Sequence, residues 1–337
     1  MSDARAAAQR AFDLKTKPRG SLGVLEEIAV RIAALEGVTI PPRRKAAIVV
    51  AAADHGVAAE GVSAYPQEVT PQMVANFAAG GAAINVLARE AGARLVVVDA
   101  GVAVPCEQPE VRALRFGSGT ASITRGPAME RAVAEAAVEA GRALAAELVR
   151  DGIGLIAVGE MGIGNTTSAS ALAAVLLPAK AAVVCGRGTG LDDAGLARKV
   201  AAVERALSVN NVDPGDGIGV LAALGGFEIA LLTGVILGCY AERVPVVLDG
   251  FITGAAALVA TRVEPASVDA MIASHRSPEP GHALILDALG LEPLVDLRMR
   301  LGEGSGAALA LPIIASSLAL LNDMASFDDA GVTDAGR

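Results

Sequence analysis

Gly154-Leu155-Ile156-Ala157-Val158-Gly159-Glu160-Met161-Gly162-Ile163-Gly164-Asn165-Thr166-Thr167 is the stretch whose reading decides the fold. An apolar run of strand length ends in a glycine-rich turn, and Thr hydroxyls open the Ala/Leu helix that follows. Strand, glycine loop and helix start, in that order, cradle a phosphate on backbone amides. The spacing is neither GxxxxGK[ST] nor GxGxxG, which argues against an ATPase or a dinucleotide enzyme and for the phosphate of some other ligand. A second instance follows. Ala181 to Cys185 predicts a short strand, then come Gly186-Arg187-Gly188-Thr189-Gly190-Leu191-Asp192-Asp193 and a helix carrying Lys199. Arg187 and Lys199 beside two glycine loops suit an anion; two structural turns is the other reading.

Working outward, Ala46 to Ala53, Arg94 to Ala100 and Pro245 to Leu248 are continuous apolar runs, the pattern of parallel strands covered on both faces. They end in Asp54-His55-Gly56, Asp99 and Asp249-Gly250, and ligands of α/β sheets bind beyond such carboxyl ends. Asp54 and His55 read equally as a turn and a satisfied core histidine. A further polar loop, Ser274-His275-Arg276-Ser277-Pro278-Glu279-Pro280-Gly281-His282, belongs to the same edge. Between strands, Pro127 to Asp151 predicts an amphipathic helix. A second helix begins at Thr70 as N-cap with Pro71 in its first turn, carries Gln72 and Asn76, and runs to near Gly92. Glu228 opens another apolar helix, where the dipole favours an acid. This alternation predicts an α/β fold, one doubly wound, mostly parallel Rossmann-like sheet, with the terminal helices as a smaller part.

Near the end, Leu301-Gly302-Glu303-Gly304-Ser305-Gly306 sets one carboxylate among glycines, directly before Ala307 to Asn322, an uncharged run that reads as a buried helix. Glycines let another molecule approach closely, and free N–H groups at a helix start can hold an anion. A capping turn with a surface Glu is the alternative. Tyr65, one of two tyrosines, lies in the loop beside Gln72, so a flat ring could stack on Tyr65 and bond to Gln72; ordinary surface residues are the other reading.

Composition bounds these readings. The 337 residues are 53% hydrophobic but 2% aromatic with no Trp, so the core is built from Ala, Val, Leu and Ile. The two longest apolar stretches, Gly217 to Tyr240 and Gly304 to Asn322, contain glycines, Glu228 or Pro312 and lack close basic flanks, which reads as buried helices rather than membrane spans. The N-terminal residues lack the apolar core of a signal peptide, an expectation of cytoplasmic location. Three dispersed cysteines fit reduced thiols, and three histidines without CxxC or HExxH make a dedicated metal site unexpected. A net charge of −9 argues against a nucleic-acid surface. Lys15-Thr16-Lys17-Pro18-Arg19 reads either as a solvated loop or as a phosphate clamp.

Taken together, Thr16 to Gly23, Ala53 to Gly56, Gly159 to Thr167, Gly186 to Asp193, Ser274 to Ser277 and Leu301 to Gly306 resemble, in order and over nearly the whole chain, the nicotinate-nucleotide–dimethylbenzimidazole phosphoribosyltransferase family. The resemblance implies transfer of 5-phosphoribose from nicotinate mononucleotide to 5,6-dimethylbenzimidazole, a homodimer, no metal and no organic cofactor. It also implies a large Rossmann-like domain over 41–299 and a small helical domain from residues 1–40 and 300–337. By resemblance Glu303 is the general base and Glu160 a second carboxylate at the reacting centre. Gly162, Gly164, Asn165, Thr166, Gly188 and Lys199 would hold the phosphate, with Ser277, Leu301 and Gly302 beside the nucleotide. Ala64, Tyr65 and Gln72 match the acceptor-base pocket. One departure is Ala64, where some members carry a hydroxyl, and it bears on which base is accepted.

Overall fold

Alternation along the central strand separates the protein into two cores. In the computed structural model, which describes residues 2–333, strand β1 (Lys45–Ala53) turns Ala47, Val49, Ala51 and Ala53 to one side and Ile48, Val50 and Ala52 to the other. Both sides are covered, as the unbroken apolar run requires. β1 pairs with β2 (Arg94–Gly101) and with β4 (Ile153–Met161), while β3 (Val111–Ala113), β5 (Val246–Leu248) and β6 (Met271–Ala273) complete a six-stranded sheet in the order β3-β2-β1-β4-β5-β6. Every strand pair is parallel. This is the doubly wound order, whose crevice lies beyond the carboxyl ends of the strands.

Helices α1 (Ser2–Asp13), α2 (Val24–Glu36), α3 (Val69–Ala78) and α4 (Ala83–Glu90) cover one face of the sheet. Helices α5 (Arg131–Arg150), α6 (Asn165–Leu176), α7 (Ala181–Val184), α8 (Asp193–Asn210), α9 (Gly217–Leu224), α10 (Phe227–Ala241), α11 (Phe251–Val263) and α12 (Pro280–Leu289) belong to the other. The chain then returns to the first face with α13 (Ser305–Asp323), followed by the short α14 (Phe327–Ala330). The termini meet there: Lys15 Nζ donates to the Met324 carbonyl at 2.6 Å, and the Thr16 N–H to that of Ala325 at 3.1 Å. α13 is long and apolar enough to cross a bilayer, yet it packs on α2, α4 and the sheet.

Three local expectations are overturned. Ala181–Val184 is a helical turn, not a strand: Lys180 is its N-cap, with the Val183 N–H donating to the Lys180 carbonyl and the Cys185 N–H to that of Ala181, both at 2.9 Å. The helix expected to run from Thr70 to near Gly92 breaks at Gly80-Gly81, where Gly80 has φ 78°, and resumes as α4. Thr70 is therefore inside α3, not its cap, and its hydroxyl accepts the Ile163 N–H at 3.1 Å. His282 leaves the polar loop for the first turn of α12, which Pro280 starts.

The small-residue composition has its structural use where α5 crosses α10. A Cβ at Gly234 would overlap the Val138 carbonyl, and one at Gly141 would overlap that of Leu231. The backbones touch, so neither helix can accept a side chain there without moving. Gly234→Ala is expected to cost about 2 kcal/mol through overpacking, read as a lowered urea midpoint at unchanged slope.

Candidate active site

The carboxyl ends of β4, β5 and β6 open onto one cleft. β4 delivers Glu160 to its wall, and the Gly162-Ile163-Gly164 turn leads into α6, so Asn165 and Thr166 also line it. Gly164 is the N-cap of α6 with φ 95°, a left-handed conformation that favours glycine. Asn165 Nδ2 donates to Glu160 Oε2, so the first helical residue holds the last acid of the strand. Across the cleft stand Gly188, Ser277, Leu301 and Gly302, all expected, together with Asp249, His275, Glu279 and Arg300.

The loop before α13 is shaped by one carboxylate. Gly302, Glu303 and Gly304 have φ of 82°, 62° and 80°, three left-handed residues in succession. For a non-glycine such as Glu303 that geometry costs about 1–2 kcal/mol. Asp249 offsets it: Oδ2 accepts the Gly304 N–H at 3.1 Å, and Oδ1 accepts those of Gly306 and Ala307 at 2.7 and 3.1 Å. The expectation that free amides at this helix start would bind an external anion is thus corrected, because the anion is Asp249 itself. Gly302 also has to be glycine for contact with Glu160, since a Cβ there would lie 2.5 Å from Glu160 Oε1.

Burial and mutual repulsion raise the proton affinity of these acids. Loss of hydration pushes Glu160 up to about 8 against the opposing Asn165 bond, with Asp249, Glu228 and Glu303 adding to the rise. Burial likewise pushes Asp249 up to about 7, although its three amide bonds oppose it. Glu303 is 5% exposed and also raised, chiefly by burial. The nearby Ile84 backbone amide, in the first turn of α4, opposes that rise, and Glu303 Oε2 is buried with no hydrogen-bond partner among the described residues. The Glu303 amide donates to the Glu160 carbonyl at 3.2 Å, so the two acids are linked through the backbone.

On the opposite side, Lys199 lies beneath the cleft rather than in it. It is fully buried, and Nζ donates to Thr166 Oγ1 at 2.9 Å and to the Gly186 carbonyl at 3.1 Å. Burial lowers its pKa, and the nearby Glu279 opposes that. Lys199 thereby orients Thr166 and ties the two glycine loops together. Glu279 Oε1 accepts the Gly188 N–H at 2.9 Å, and the Ser277 hydroxyl accepts the Glu279 N–H at 3.4 Å. Arg187 turns out to Asp193 and the Leu191 carbonyl.

Several candidates do not reach the cleft. Ala64, Tyr65 and Gln72 are exposed, Tyr65 by 53%, and none lines it; Thr70, just before Gln72, joins that segment to the cleft turn at Ile163. Asp54 and His55 are buried and line no part of this cleft; of their two readings, the satisfied core histidine is the one the structure bears out for His55. Glu228 pairs with His55 at 2.7 Å instead of acting as a simple cap. Lys17 pairs with Glu26 at 2.8 Å, both buried, so the basic loop is neither solvated nor a clamp at that position. Arg300 escaped the sequence reading although it directly precedes the Leu301 motif. Its guanidinium donates to the Gly188 carbonyl at 3.4 Å. Among the described residues, no group of His, Cys, Asp or Glu is arranged to hold a metal ion.

Glu160 and Asp249 hold protons more tightly in the folded chain than in the unfolded one. Their contribution to stability is therefore complete below about pH 4 and is lost as pH rises through about 7 and 8. The urea midpoint of the free protein should fall between pH 5 and pH 8, and Glu160→Gln should flatten that fall. A pH-independent midpoint in the unsubstituted chain would contradict the assignment.

A family model described as Phosphoribosyltransferase matches residues 1–332. The nicotinate-nucleotide–dimethylbenzimidazole phosphoribosyltransferase of Chloroflexus aggregans is 54% identical over 332 residues, spanning 98% of this chain and 94% of the relative. That of Azotobacter vinelandii is 53% identical over 333 residues, with the same two coverages, 98% and 94%. The crystal structure of CobT from Thermus thermophilus superposes with a TM-score of 0.94 at 47% identity, covering 98% of this chain and 99% of that one. With a cleft built from the glycine loops and paired acids, and with relatives spanning nearly its full length, the chain belongs to the nicotinate-nucleotide–dimethylbenzimidazole phosphoribosyltransferase family.

Proposed function

We propose that this enzyme transfers the 5-phosphoribosyl group of nicotinate mononucleotide to 5,6-dimethylbenzimidazole, releasing nicotinate and forming α-ribazole 5′-phosphate for the nucleotide loop of cobalamin. The observation that carries the reading is the pair of buried, proton-avid acids, Glu160 and Glu303, joined through the backbone beside the Gly302 turn.

The donor occupies the cleft, its 5′-phosphate against the start of α6 at Gly162, Gly164, Asn165 and Thr166 and against Gly188. Lys199 acts there through Thr166, and Ser277, Leu301 and Gly302 line the nucleotide. Its pyridinium is already cationic, so departure as nicotinate needs little acid assistance, and the chemistry depends on orientation and on negative charge near the anomeric carbon. One benzimidazole nitrogen attacks that carbon as the bond to the pyridinium nitrogen breaks. The other nitrogen gives its proton to Glu303, which passes it to water. A carboxylate with raised pKa suits that task, because its proton affinity approaches that of the group it deprotonates. The acceptor enters from the α3–α4 side, where Glu303 reaches Ile84; Tyr65 stacks on the flat ring and Gln72 bonds to it, with Ala64 setting the room available. No metal or organic cofactor takes part in this scheme. We also infer a cytoplasmic homodimer.

The test is nicotinate release by the purified protein. The chain should turn over nicotinate mononucleotide with dimethylbenzimidazole, and Glu303→Gln should lower kcat by about 100-fold or more with KM for the donor nearly unchanged. No turnover with this acceptor, adenine or phenols would refute the reading, and full activity in the variant would remove Glu303 as the base.

A further inference from the structure

Three polar side chains that the proposed chemistry does not use meet in the core. His55 follows β1, Ser168 lies near the start of α6, and Glu228 lies in the first turn of α10. His55 Nδ1 is 3.0 Å from Ser168 Oγ, and Nε2 is 2.7 Å from Glu228 Oε1. All three residues are 0% exposed. An ionised Glu228 can only accept, so Nε2 carries the proton and Nδ1 accepts from the Ser168 hydroxyl. Serine, histidine and carboxylate in this order are the parts of a nucleophilic triad, but a nucleophile must meet its substrate, and this serine is sealed.

What the chain does touch is the floor of the cleft. A Cβ at Gly164, the N-cap of α6, would lie 3.4 Å from His55 Cβ, and one at Gly226, the N-cap of α10, would overlap the imidazole. Two residues before Gly164, a Cβ at Gly162 would lie 2.5 Å from the Ala53 carbonyl. One ring thus joins the end of β1 to two helix starts, and one of those helices presents Asn165 and Thr166 to the cleft.

We infer that Ser168, His55 and Glu228 form a positioning chain for the reaction proposed above: they lock the turn from Gly162 to Thr166, and with it Glu160 and Asn165, against the ends of β1 and α10. The chain also brings a buried charge to bear on the site. Glu228 from α10, Asp249 from the end of β5 and Glu303 from the loop before α13 all raise the proton affinity of Glu160, while the Asn165 bond lowers it. Of the three acids acting on Glu160, Glu228 stands outside both the cleft and the proposed acceptor side, so its charge can be removed without touching substrate.

The experiment follows the Glu160 carboxyl by 13C NMR in glutamate-labelled protein, its resonance assigned by its loss in Glu160→Gln. Glu228→Gln keeps the side-chain shape and still accepts from Nε2–H. In it, the Glu160 midpoint should move to lower pH by about half a unit or more, and the matching limb of the kcat profile should move with it. A folded Glu228→Gln in which Glu160 titrates as in the unsubstituted chain overturns the inference. Should that variant not fold, Ser168→Ala decides: a kcat lowered by about tenfold at unchanged KM supports the chain, and an unchanged kcat overturns it. The carboxyl titration needs no turnover, so an inactive protein would condemn the proposed reaction and leave this inference to be judged on the titration alone.

Discussion

The carboxylate of Asp249 on three backbone amides is the interaction from which the site takes its shape. It stands at the end of a three-residue strand and reaches across to the start of a helix some fifty residues later, at Gly304, Gly306 and Ala307. Charge-assisted bonds of this kind are each worth about 1.5–3 kcal/mol, more than the cost of one left-handed side-chain-bearing residue. That surplus holds Glu303 in its strained conformation. Without it, the glycines on either side would give the loop freedom and the acid no fixed direction.

The same acid takes part in an electrostatic arrangement that the free protein tolerates and that the proposed cationic donor would relieve. Glu160, Asp249 and Glu303 lie near enough that each raises or responds to the charge of another. Repulsion among buried acids is unfavourable alone; in the proposed scheme it becomes attraction once a pyridinium, or the positive centre left as nicotinate departs, comes between them. The apolar, nearly aromatic-free core contributes here too, because a low-dielectric wall strengthens each charge it surrounds. Folding and chemistry therefore place opposing demands on the same carboxylates.

Much of this was legible in the sequence, and the exceptions have physical reasons. The long parallel strands showed as unbroken apolar runs because both faces of each are covered, and the strand-to-helix glycine turn placed Glu160, Asn165 and Thr166 correctly on one cleft. Ala181 to Val184 misled because four small apolar residues carry no period; only their neighbours decide between helix and strand. His55 stayed open between two readings because position at a strand end says nothing of whether another helix closes over it, and here α10 does so with Glu228. The role of Asp249 was hidden for a related reason: an acid that ends a short strand reveals its partners only when a distant segment folds back onto it. Lys199 was found by its charge, but its burial under Thr166 could not be read from spacing.

The return of α13 to the first face of the sheet has a consequence for how the protein is made. Synthesis runs from the N-terminus, so β1 to β6 and the helices of the second face all precede the segment that covers Ile48, Val50, Ala157 and Val247. Until α13 emerges, the part of that face which it covers over β1, β4 and β5 stands open to water and to other chains, a situation that invites association with the wrong partner. The loop carrying Glu303 arrives with it, so the nascent chain acquires its proposed base and its hydrophobic cover in one event. A chain that stops shortly before this point lacks both the proposed base and that cover, the kind of product whose disposal falls to chaperones and proteases.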